Sequence, residues 1–222
     1  MMNRFIVLLL SGLFLTACAS NQPEPVSQDG LVLQQDTKFQ EVYLLPGAEL
    51  GSYKSIGVEA CSVSFRKNWL RDQNNNRLDL SSRVTQQDVS SMKSALGDAC
   101  SDHFSQALLA DPAYDIVDQF DKGEAVLIVR PSIINLDVNA PDTMSPGMNR
   151  SYTTSAGEMT LALELVDGTT GQVLARARDR RRGTDYGTFQ WTNGVTNKAE
   201  ADRTLSRWAG LLRKGLDEAT GR

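Results

Sequence analysis

The sequence has a single histidine, three cysteines and seven prolines in 222 residues, and aromatics make up only 7%. With His103 as the sole histidine, any serine or cysteine triad would have to use it as its base. His103 falls beside the apolar face of a predicted helix, where such a residue is ordinarily a half-buried, hydrogen-bonded side chain. Zinc needs three or four converging ligands, and one histidine with scattered cysteines is a thin supply. No Gly-x-Ser-x-Gly elbow occurs, and no phosphate-binding glycine loop follows a predicted strand. The chain therefore reads as no enzyme, with no catalytic residue, metal or cofactor to name. Positive charge is also scarce. Lysine and arginine number 23 against 27 acidic residues, a net charge of −4 that lacks the footprint of a nucleic-acid binder. Beyond the first eighteen residues, no apolar run approaches the length that crosses a bilayer.

Those first residues carry the clearest signal. Arg4 is followed by an apolar stretch from Phe5 to Leu15 and then by small residues up to Cys18. Such a run suits the core of a signal peptide and is too short to span a membrane. Leu15-Thr16-Ala17-Cys18 resembles the lipobox of bacterial lipoproteins. The resemblance implies cleavage before Cys18, a diacylglycerol thioether on its sulfur and an acyl group, such as palmitate, on its amine. Residues 1–17 then form a signal peptide, 18–29 a lipidated terminus with a polar tether, and 30–222 a single domain. In such lipoproteins an aspartate after the cysteine is associated with inner-membrane retention. Ala19 stands there, so the expected address is the periplasmic face of the outer membrane. Cys61 and Cys100 remain as an even pair, for which one disulfide and two separately buried thiols are both open readings.

Periodicity orders the rest. Residues 39–45 look extended, and 53–65 form a strand whose apolar phase shifts at Ala60-Cys61, as a bulge or a doubly covered strand would require. Residues 69–82 read as a polar loop. Asp72, Asn74 and Asn76 mimic the start of a calcium loop, but Arg77 and Arg83 stand where glycine and glutamate belong, so a solvated turn is the better reading. Thr85 and Asp88 suggest a capping box, ahead of an apolar stripe from Val89 to Leu108 that predicts a helix over 86–109. Gly97 within it suggests close packing on the sheet. A short strand at 114–117 precedes a long one at 125–138, in which Pro131 predicts a bulge or an edge. Residues 139–155, with Met144 and Met148, read as a long loop. Residues 157–166 alternate cleanly, turn at Asp167 to Gly171 and return as a strand over 172–182. Asn197 with Glu200 suggests the start of a last helix, with Leu205, Trp208, Leu212 and Leu216 on its buried stripe. The expected fold is α+β: a mixed, mainly antiparallel sheet of about four to five strands, with two helices on one face.

Several of these segments together resemble the bacterial lipoprotein family called domain of unknown function 3313. The residues that carry the likeness are Tyr43-Leu44-Leu45-Pro46-Gly47-Ala48 and Tyr53-Lys54. The hairpin adds Glu164-Leu165-Val166-Asp167 and Thr170 to Ala175, and Arg207-Trp208-Ala209 lies near the C-terminus. The resemblance supplies no catalytic residues, and the strand–helix arrangement is also similar to small periplasmic lipoprotein domains.

Binding is the remaining class. Arg176, Arg178, Arg180 and Arg182 share one face of the last strand at period two. They form either an anion-binding stripe, with Tyr186, Phe189 and Trp191 following, or a solvated face paired to Glu158 and Glu164 across the hairpin. The expected function is a lipid-anchored, non-catalytic envelope protein that touches the membrane through its lipid and contacts a protein or anionic envelope partner. The alternatives are a lipid- or glycan-processing hydrolase, marked by clustered carboxylates in a cleft, and a small-ligand-binding module, marked by an apolar cavity. Cys18→Ser is expected to stay unprocessed and to lose the parent's membrane fractionation. Processing and fractionation like the parent's would overturn the anchor.

Overall fold

The computed structural model describes residues 23–75, 77, 80–120, 123–139, 151–153, 157–183, 190–192 and 194–222. The expected signal peptide, Cys18, Met144, Met148, Tyr186 and Phe189 lie outside them, as does the side chain of Trp191. In chain order the strands are β1 (Val32–Leu33), β2 (Glu41–Leu44), β3 (Ser55–Val58), β4 (Ser62–Phe65), β5 (Asp115–Val117), β6 (Val126–Val138), β7 (Ser151–Thr153), β8 (Gly157–Asp167), β9 (Val173–Arg182) and β10 (Gln190–Thr192). The α-helices are α1 (Trp69–Asn74), α2 (Gln86–Leu109) and α3 (Gly194–Thr220).

The main sheet has eight strands ordered β1-β2-β9-β8-β6-β3-β5, with β4 also on β6, and β7 pairs with β10 separately. This corrects the expected four to five strands and two helices. Edge pieces of two to four residues carry too little alternation to count from sequence, and one expected strand is in fact two. The α+β class and the mixed pairing remain: from β1 through β2, β9 and β8 to β6 each successive pair is antiparallel, while β3 and β4 lie parallel to β6 and β5 lies parallel to β3.

β6 is central, and its proline explains a break beside it. Pro131 pairs in register with Leu163 and lies neither at an edge nor at a bulge; the register shift comes later, between Ile134 and Asp137. The Val129 carbonyl accepts the Glu59 N–H at 2.9 Å, so the backbone of Val129 faces the β3 side. Alternate residues point to the same neighbour, so Pro131 presents its missing N–H there too. On that side the parallel partner is interrupted between Val58 and Ser62, where no donor is needed. The phase shift at Ala60-Cys61 marks this gap between β3 and β4.

Both long helices cover one face. Cys100, Phe104 and Leu108 of α2 and Leu205, Trp208, Leu212 and Leu216 of α3 bury against Leu127, Val129, Ile133, Leu161, Leu163 and Leu165. Thr85 caps α2 as a full capping box with Asp88. Its other end is closed by α3: Arg213 donates to the carbonyls of Ala107, Ala110 and Pro112 at 3.2, 2.8 and 2.7 Å. A cation there satisfies orphan carbonyls and complements the negative end of the helix. α3 begins at Gly194, so Asn197 lies inside it rather than capping it.

Residues 69–74 are helical where a loop was expected. Trp69 drives this, 1% exposed, stacked on Phe65 at 4.1 Å and donating through its indole to the Val138 carbonyl at 3.2 Å. The calcium-like positions are otherwise engaged. Asp72 takes hydrogen bonds from Arg66 and Arg71, which hold its carboxyl below the usual range. Asn74 holds both backbone groups of Val84, and Asn76 lies outside the described residues.

The gap between β3 and β4 is where α2 docks. Cys61 and Cys100 form a disulfide with Cα atoms 5.9 Å apart, and the Cys61 N–H donates to Ser101 Oγ at 3.0 Å. A crosslink spanning 39 residues contributes about 4 kcal/mol in the chain-entropy account. A Cβ on Gly97 would lie 2.8 Å from the Cys61 carbonyl oxygen. Alanine there gains about 1 kcal/mol of helix propensity but meets backbone fastened by the disulfide, where overpacking costs about 1–3 kcal/mol. Gly97→Ala is therefore expected to lower the urea midpoint. A raised midpoint would show that the helix shifts away freely.

Candidate binding cavity

Small side chains open a space between the helices at one end of the sheet. Ala95 and Ala99 of α2 and Ala201 of α3 are too short to fill the gap between packed helices, whose axes lie about 8–10 Å apart. Below them, the β6 bulge at Asn135, where φ is 52°, precedes Leu136, which is buried. Gly157 approaches β6 at φ 131°, so closely that a Cβ would strike the Asp137 carbonyl at 1.9 Å. The result is a cavity of about 340 Å³ with an apolar floor of Met92, Leu96, Leu136, Val138 and Met159.

Each carboxylate on its wall has a cation. Asp137 accepts from Arg66 at 2.7 Å, Glu158 from Arg180 at 2.7 Å and Asp202 from Lys198 at 2.7 Å, and Glu200 pairs with Arg203. Lys198 first, and then His103 with its Nε2 at 3.5 Å, hold the Asp202 carboxyl below the usual carboxylate range. His103 is thus placed at the contact of α2 with α3. Among the described residues, no three His, Cys, Asp or Glu side chains converge as a metal site.

Asp179 fixes the wall nearest the sheet. It projects from the core face of β9, only 2% exposed, and accepts from Trp208 Nε1 at 2.7 Å, Arg181 Nε at 2.6 Å and the Gln40 N–H at 3.2 Å. These donors stabilise a buried charge that would otherwise be costly. They also hold Arg181 at the cavity wall.

The arginine stripe lies on the opposite, helix-free face of β9. Register sets Glu158 across from Arg182 and Glu164 across from Arg176. Arg176 binds Glu164 at 3.1 Å and Asp29 at 2.8 Å, and lowers the Asp29 pKa to about 2. Arg180 and Arg182 share Glu158 at 2.7 and 3.5 Å. Arg178 stands in register with Glu41 and has no ion pair among the described residues. Carboxylates thus neutralise the stripe at Arg176 and Arg180, while Arg178 and the exposed Arg182 are left less balanced. Thr160, which alternation places outward, is 3% exposed, in register with Arg180 and Ile134. At the end of the stripe a second hollow, of about 490 Å³, is lined by Lys38, Phe39 and Gln40 with Glu158 and residues 179–182.

Sequence reasoning named the arginines but missed the cavity. Its signal was three alanines, Ala95 and Ala99 on α2 and Ala201 on α3, which periodicity counts as apolar without regard to size.

The family model described as protein of unknown function DUF3313 matches residues 24–212, and the chain belongs to that family. No curated protein matches it. Among solved structures, a methionine-substituted PelC dodecamer from Paraburkholderia phytofirmans aligns at 11% identity and TM-score 0.41, covering 78% of this chain and 95% of that one. The unsubstituted PelC dodecamer of the same organism aligns at 13% identity and TM-score 0.39, covering 78% and 96%. Likeness of that degree carries no functional inference.

Removing the Asp179 carboxylate strands three donors, of which Trp208 Nε1 is the one on a fully buried residue, and an unsatisfied buried donor costs about 1–3 kcal/mol. Asp179→Ala is expected to cost about 2–3 kcal/mol in urea unfolding. A cost under about 0.5 kcal/mol would show that Trp208 and Arg181 find other partners.

Proposed function

We propose that this DUF3313 member is a lipid-anchored, non-catalytic protein of the outer membrane's periplasmic face whose domain is a binding module for a small apolar ligand. The cavity carries the reading. Its volume of about 340 Å³ falls within the range of about 300–1,000 Å³ usual for small-molecule pockets, and a few polar groups rim an apolar floor. The lipobox-like Leu15-Thr16-Ala17-Cys18 supports the anchor.

Hydrolysis fits the same cavity less well. A general acid needs a carboxyl free to hold and give a proton, whereas Asp137, Glu158 and Glu200 are each engaged by a cation and the Asp202 carboxyl is held below the usual carboxylate range by Lys198. Contact with an anionic partner through the whole stripe is likewise weakened by Asp29, Glu158 and Glu164.

Ala95 lines the cavity from an exposed helical position. With p-benzoylphenylalanine at Ala95 in the full lipidated chain, illumination of whole cells is expected to give an adduct of one discrete small mass. The same group at the remote, exposed Lys214 is expected to give none. No adduct at Ala95, or adducts with proteins alone, would overturn the module.

A further inference from the structure

The apolar cavity and the cationic hollow are lined by two residues in common, Glu158 and Arg181, so they meet around the ends of β8 and β9. Four cations and two carboxylates line the hollow, an excess of positive charge in a chain whose net charge is −4. One of those carboxylates, Asp179, is consumed by Trp208, Arg181 and Gln40. The other, Glu158, gives both its oxygens to Arg180 at 2.7 Å.

That leaves two cations with donors to spare. Arg182 is 70% exposed, and its nearest carboxylate oxygen is 3.5 Å away. Lys38 is exposed and has no ion pair among the described residues. An apolar cavity that shares two wall residues with a hollow carrying unsatisfied cations is complementary to one kind of molecule. We infer that the ligand is a single-chain amphiphile with an anionic head, its chain in the cavity between α2 and α3 and its carboxylate or phosphate on Lys38 and Arg182. Guanidinium and ammonium donors match either head through charge-assisted hydrogen bonds. The inference rests on the cavity reading proposed above and adds the head group to it.

The test uses the lipidated protein in phosphatidylcholine vesicles at pH 8, labelled with a photoactivatable dodecanoate or with the matching dodecanol. Both probes are expected to label peptides of α2 and α3, the acid roughly tenfold more than the alcohol, as one lost charged contact predicts. Lys38→Gln with Arg182→Gln, both at exposed positions, should bring the two yields together while the alcohol yield stays unchanged. Unlabelled dodecyl phosphate should displace the acid, and inorganic phosphate at the same concentration should not. Equal labelling by acid and alcohol in the parent would overturn the head-group inference and leave the cavity standing. Displacement by inorganic phosphate as effective as by dodecyl phosphate would reduce the hollow to a free-anion site and overturn the inference as well. If neither probe labels α2 or α3, the cavity reading falls with it.

Discussion

A carboxylate shut away from water organises this domain. Asp179 sits on the core face of β9 and is satisfied from three directions: by an indole from α3, a guanidinium two residues along its own strand, and the backbone just before β2. Burying a charge is expensive unless its hydrogen bonds are complete, so the geometry of these three elements is mutually constrained. Trp208 is fully buried under that constraint, and α3 can dock on the sheet in few other ways. The position of Arg181 follows, and with it the boundary between the apolar cavity and the cationic hollow.

Much of this fold could be read from the residues. α2 runs from Gln86 to Leu109 as its periodicity requires, because a capping box fixes one end and Asp111-Pro112 ends the pattern. The β8–β9 hairpin was equally legible, since Leu161, Leu163 and Leu165 alternate with Thr160, Ala162 and Glu164 and Gly171 allows the turn at φ 75°. What stayed hidden depends on partners distant in sequence. Pro131 pointed to a bulge or an edge, yet it lies in register mid-sheet because its neighbour is interrupted where the missing donor points. Trp69 starts a short helix amid polar residues because Phe65 and Val138 supply contacts that local propensity does not record.

The site divides along the same line. The arginines of β9 were visible as a period-two row, but their charge balance depended on cross-strand register with Glu158 and Glu164 and on Asp29, 147 residues away from Arg176. The cavity was invisible for a different reason. Hydrophobic patterning reports which way a residue faces, while an empty volume depends on side chains that stop short, as Ala95, Ala99 and Ala201 do. Reading residue size along an inner helix face, as well as polarity, would have flagged it.

The borders of the main sheet have a bearing on how copies of this protein coexist. At one border stands β1, two residues long, and at the other β5 and β4, three and four residues long. An exposed border recruits strands from other molecules only as far as its unpaired backbone groups extend. Rims this brief offer almost no template, so neighbouring copies gain little by stitching their sheets together.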